Sequence, residues 1–129
     1  PDRVTESGPN YLMMATPLED FLDLVATTVV PEKAGDTKLA FNIADTTSGE
    51  HFAVTLENSV LVTEKGQSIA GAPTLSAAKP VILGVLFGQA PLGAMVASGR
   101  VQLTGDGAQI QQLVGFLSMP KLDFAIVEP

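Results

Sequence analysis

Residues 80–99, PVILGVLFGQAPLGAMVASG, carry no charge between Lys79 and Arg100 and form the most apolar part of the chain. Val81, Ile82, Leu83, Val85, Leu86 and Phe87 crowd the first half, and Leu92, Met95 and Val96 follow in the second, interrupted by Gly84, Gly88, Pro91 and Gly93. Three readings compete. A membrane-spanning helix needs about 20 apolar residues in one piece, and the length alone allows it. The breaks oppose it, because Gly88-Gln89-Ala90-Pro91 reads as one helix ending at a C′ glycine and another opening with proline at its first position. Two short core helices of about two turns each are the plainest reading. The third is that these helices line a cavity for an apolar ligand, since apolar residues all round a short helix exceed what one sheet face covers.

Upstream of this run, Thr16-Pro17-Leu18-Glu19 fits a capping box, with threonine as N-cap, proline first in the helix and glutamate reaching back. Leu18, Phe21, Leu22, Val25 and Val29 recur at helical spacing, which predicts an amphipathic helix from Pro17 to about Val30, ended by Pro31 to Gly35. Leu39, Phe41 and Ile43 then alternate with polar or small residues. After a turn at 45–49, Phe52, Val54 and Leu56 do the same, predicting two antiparallel strands with one buried face. Asn58-Ser59 occupies the place of a tight turn before a third strand at Val60, Leu61 and Val62. A fourth strand is expected within 71–77 and a fifth over 100–104. Downstream, Asp106 is expected to cap a helix with Gln109 reaching back, and Ile110, Leu113, Val114 and Leu117 form its buried stripe, with Phe116 at the edge. The tail alternates Leu122, Phe124 and Ile126 and reads as extended. Meandering strands with helices gathered on one face make an α+β domain, and the helix-covered face is the expected place for a pocket.

Length and composition bound the function. The 129 residues are one domain's worth, enough to bury roughly two thirds of the surface the unfolded chain exposes. Hydrophobic residues make up 46% and charged residues 16%, a balance that suits a large core or an internal pocket and excludes disorder. The net charge of −7 repels nucleic acids and anionic lipid surfaces, so no nucleic-acid partner is expected. With no cysteine and His51 as the single histidine, the common zinc sites lack their ligands, and no metal or other cofactor is expected in this chain. His51 falls on the polar side of its strand. A serine nucleophile would need that same histidine as base, and no serine sits in a nucleophile elbow. The glycines at 84, 88 and 93 match neither phosphate-binding fingerprint. Carboxylates such as Asp20 with Asp23, or Asp36 with Asp45, lie at helix starts and turns, where capping and solvation explain them. No catalytic constellation is legible.

The residues do offer apolar surface in excess. Candidate ligand-lining positions are Leu18, Phe21, Leu22 and Val25 on the first helix, and Val81, Ile82, Val85, Leu86 and Phe87 in the central run. Leu92, Met95 and Val96 follow, then Leu113, Phe116, Leu117 and Met119 near the end. The methionines supply adaptable lining for a flexible chain. A plain packed core is the alternative for each of them.

The segments TPLEDFLD (16–23), ADT (44–46), LENSVL (56–61), SGRVQLTGD (98–106) and FAIVEP (124–129), in that order, resemble the C-terminal domain of bacterial alkylsulfatases, which is similar to sterol carrier protein 2 (SCP2). The resemblance implies an SCP2-like α+β fold: about five strands, mostly antiparallel, with helices packed on one face around an apolar cavity. Residues 1–15 would be a linker or domain junction and residues 16–129 the domain itself. In that family the whole enzyme carries an N-terminal metallo-β-lactamase-type domain whose two zinc ions serve cleavage of alkyl sulfate esters, and a dimerising helical region. The family's zinc-binding histidine motif has no counterpart here, so zinc is expected only in that other domain. Ser59 stands where the family's turn usually has glycine after asparagine.

The implied role is non-catalytic: to recruit or hold the aliphatic tail of an alkyl sulfate, fatty acid, fatty alcohol or similar lipid, with a homodimer as one possible assembly. The alternatives are a stand-alone sterol-carrier-like lipid-binding protein and an interaction or dimerisation domain without a cavity. A chain that begins at Pro1 is expected to be a processed product or a piece of something longer. A soluble protein of the bacterial cytoplasm, periplasm or exterior fits equally well.

Overall fold

The computed structural model describes residues 16–118; the expectations for 1–15, for Met119 and for the extended tail lie outside the described residues. Its frame is set by the alternating segments. Strands β1 (Leu39–Asp45) and β2 (His51–Glu57) pair antiparallel, so that Leu39, Phe41 and Ile43 stand opposite Leu56, Val54 and Phe52. Strand β3 (Val60–Lys65) continues the meander through a two-residue turn. Asn58 and Ser59 both take positive φ, 54° and 65°, which a tight turn matched to the strand twist requires. The turn geometry therefore survives serine at the second position, with the Ser59 hydroxyl donating to the Gly35 carbonyl at 3.3 Å.

Strand β4 (Thr74–Ala77) lies parallel to β1, and β5 (Val101–Thr104) pairs antiparallel with β4, giving the order β3-β2-β1-β4-β5. The sheet is therefore mixed. Because β4 first meets β1 at Asn42, the Ala40 N–H on that side has no strand partner, and Gln109 supplies one through Oε1 at 2.9 Å. Asn42, itself buried, accepts from the Ile69 N–H at 2.7 Å and donates to the Ile69 carbonyl at 3.0 Å, which pins the 66–73 connection across the sheet.

The helices close the other face. Helix α1 (Leu18–Thr27) buries Leu18, Leu22 and Val25. It ends before Val30 because the Thr27 and Thr28 hydroxyls donate back to the Leu24 and Val25 carbonyls, at 2.7 and 2.8 Å, and compete with helix continuation. A one-turn helix α2 (Pro31–Ala34) follows. The expected capping box is corrected: Pro17, not Thr16, holds the N-cap position and no side chain caps the helix. Glu19 turns instead to Lys65, 3.0 Å away, and Lys65 also reaches Glu50 at 3.1 Å, tying α1 to the sheet.

The apolar run forms α3 (Lys79–Leu86) and α4 (Leu92–Ala97). No helix among the described residues is long and apolar enough to cross a membrane. Helix α5 (Ala108–Gly115) buries Ile110 and Leu113. The expected Asp106 cap is corrected: Gly107 holds the N-cap position and no side chain caps the helix, Asp106 accepting from the Ala108 N–H at 2.9 Å in the turn before it, while Gln109 reaches β1 instead of the helix start. One continuous core joins α1, α3 and α5 to the inner face of the sheet.

Candidate functional site

The site grows out of the break between the two apolar helices. Helix α3 ends in a Schellman motif: the Gly88 N–H donates to the Val85 carbonyl at 3.2 Å and the Gln89 N–H to the Gly84 carbonyl at 2.8 Å. Gly88 takes φ +80°, which a side chain would strain, so the expected C′ glycine is where the chain turns. Pro91 stands at the N-cap of α4, one place before the expected first helical position. The Ala90 N–H also donates to Gly84, at 2.9 Å, so the connection folds back over the end of α3 and not out into solvent.

Facing this turn is α5, whose i, i+4 pair Ile110 and Val114 shares a flank with Gln111. Between them lies a half-open groove of about 380 Å³, walled by Val85, Gly88, Gln89, Ala90, Pro91 and Leu92 on one side and Ile110, Gln111 and Val114 on the other. None of these residues is ionisable. The floor is solid, since Ile110 is fully buried.

Of the residues expected to line a site, Val85 and Leu92 stand in this groove. Leu18, Leu22, Val25, Val81, Ile82, Leu86, Phe87, Leu113 and Leu117 are buried in the core, and Phe21, Met95 and Phe116 pack half-buried against it. Val96 is 39% exposed on α4. Phe21 meets Phe87 edge-on at 6.1 Å, with the Lys79 ammonium 5.8 Å from the Phe21 ring and donating to the Thr16 carbonyl. Gly88 to Pro91, Ile110, Gln111 and Val114 join the site without having been lining candidates. For the turn residues the signal was the break itself between two apolar helices. His51 is exposed, with Nδ1 3.2 Å from the Ser68 hydroxyl. The described residues contain no group of three or more histidines, cysteines and carboxylates placed to hold a metal.

This arrangement of a five-stranded mixed sheet and apolar helices is the SCP2-like fold. A crystal structure of sterol carrier protein 2 (15% identity, covering 77% of this chain and 91% of that one) superposes with a TM-score of 0.52. The solution structure of palmitated SCP2L2 from Aedes aegypti (17% identity, 76% and 88%) superposes with a TM-score of 0.53. More specifically, the chain belongs to the alkyl sulfatase C-terminal family, which matches it over residues 6–129. The stereoselective inverting sec-alkylsulfatase Pisa1 from Pseudomonas sp. is 25% identical, with a TM-score of 0.77 over 88% of this chain and 18% of that one. This chain thus spans less than a fifth of that enzyme's length. No curated protein sequence matches it.

Proposed function

We propose that the chain is a non-catalytic module that holds the aliphatic tail of an alkyl sulfate or related lipid in the groove between the α3–α4 turn and α5. The observation that carries this reading is the groove's wall, mostly apolar and free of ionisable side chains, open enough to admit a chain from solvent. Taking about 30 Å³ for each water-sized group, its volume suits roughly a dozen chain atoms. In a half-open groove a methylene contributes about half of its full-burial 0.8 kcal/mol, so a dozen give about 5 kcal/mol before ordering costs.

Two neighbours support the reading: one is an alkylsulfatase and another is palmitated in its solution structure. In this account, zinc-dependent ester cleavage belongs to an N-terminal catalytic domain of metallo-β-lactamase type, and this chain serves it by holding the substrate's tail. A stand-alone carrier would use the same groove.

One observation favours the interaction-domain reading. Val60 and Val62 on the edge strand β3 are 59% and 45% exposed, an apolar strip open to a second copy. Titrating a fluorescent fatty acid into the chain while sizing it by light scattering separates the two. A monomer that takes up the probe supports tail holding; a dimer indifferent to the probe overturns it.

A further inference from the structure

The groove's chemistry points beyond tail holding to the kind of head group that accompanies the tail. We infer that the groove selects a neutral chain, a long-chain alcohol, over the anionic sulfate or carboxylate of equal length. This rests on the tail-holding reading. Its first support is the wall. The polar side chains there are the amides of Gln89 and Gln111, and an amide both donates and accepts. Gln89 Oε1 is buried, so the exposed Gln111 amide is the one a head group meets; a hydroxyl can both donate to it and accept from it, whereas an anion can only accept.

The second support is where the cations are. Among the described residues none lines the groove. Lys79 lies at the opposite end of α3, eight residues or about 12 Å along the helix from the turn, engaged with the Thr16 carbonyl and the Phe21 ring. Lys65 is held between Glu19 and Glu50, and Lys38 lies 3.5 Å from Glu57. The chain as a whole carries −7. An anionic head gains no counter-charge here, while a hydroxyl loses nothing. Hydrolysis of an alkyl sulfate exchanges the charged ester for a hydroxyl, so the preferred ligand has the chemistry of the organic product.

The test competes 1-decanol, decyl sulfate and decanoate against a bound neutral fluorophore, at about 20 mM and about 500 mM salt, for the native chain and for Gln111→Leu. The expected result is displacement by decanol at about a tenfold lower concentration than by either anion at low salt, a ratio that narrows at high salt and shrinks to about threefold in Gln111→Leu. Equal or tighter binding of decyl sulfate overturns the head-group inference and leaves tail holding intact. An unchanged ratio in Gln111→Leu overturns the assignment of the selection to the groove amide. No displacement by any of the three overturns both readings together. Gln111 is exposed on α5, so the substitution leaves the fold in place.

Discussion

Replacing Val114 by phenylalanine shortens the groove from within. The ring adds four carbons to a half-buried side chain on its α5 wall. At about 30 Å³ for each carbon it takes about 120 Å³, close to a third of the 380 Å³ present. A bound tail then loses room for about four methylenes. In a half-open groove each methylene leaves water on roughly one side, so it contributes about 0.4 kcal/mol instead of the 0.8 kcal/mol of full burial. The loss is about 1.6 kcal/mol, or roughly 15-fold in affinity, for a chain of about twelve carbons, and close to nothing for one of about six. Fluorophore displacement by an even-numbered alcohol series, run on the native and Val114→Phe chains, reads this as an affinity optimum moved about four carbons shorter. Because the side chain borders open space, folding stability falls by only about 1 kcal/mol, which thermal denaturation checks. An unchanged optimum, or an equal loss at every chain length, refutes the placement of the tail between the α3–α4 turn and α5.

Gln109→Ala removes the acceptor of the Ala40 N–H and leaves a part-buried donor unpaired, so stability drops by about 1–2 kcal/mol and Tm by about 4–8 °C, with faster hydrogen exchange at the Ala40 amide. Ser59→Gly relieves a left-handed residue at φ 65°, partly offset by the freer unfolded chain and the lost contact to Gly35. It raises stability by about 0.5 kcal/mol in denaturant unfolding. Lys65 has its pKa raised above 10.5, chiefly by its hydrogen bonds to Glu19 and Glu50. Since the folded value exceeds the unfolded one, its contribution is complete below pH 10.5 and fades as pH climbs through the folded value. Denaturation at about pH 9 and about pH 12 therefore shows a stability gap between native and Lys65→Met chains that closes at the higher pH.

Local pattern carried the strands, the tight turn and the break between α3 and α4, because each depends on neighbours in sequence. Alternation at 39–43 and 52–56 specifies one buried face, and a glycine before a proline stops one helix and starts the next. The parallel pairing of β1 with β4 has no such signal, for it depends on how a hairpin and a loop pack between them. Gln109 reads locally as a capping partner, yet its acceptor meets Ala40, 69 residues away, where a strand edge lacks a neighbour.

The site shows the same division. The most apolar positions, such as Leu22, Ile82 and Leu113, are consumed by the core at 0–2% exposure. A ligand wall has to remain partly uncovered. Its uncovered edges fall to the less conspicuous Gly88, Pro91 and Gln111, over a floor of Val85, Leu92 and Ile110 that is as buried as the core.

Methyl-resolved NMR of the protein saturated with carbon-13-labelled 1-decanol locates the aliphatic chain. Intermolecular cross-peaks are expected from the alkyl chain to the methyls of Val85, Leu92, Ile110 and Val114, absent in the Val114→Phe chain for the distal carbons, which places the ligand between the α3–α4 turn and α5. Cross-peaks confined to Leu22, Val25 and Leu83 in the interior, or no chemical-shift change at saturating ligand, would contradict it.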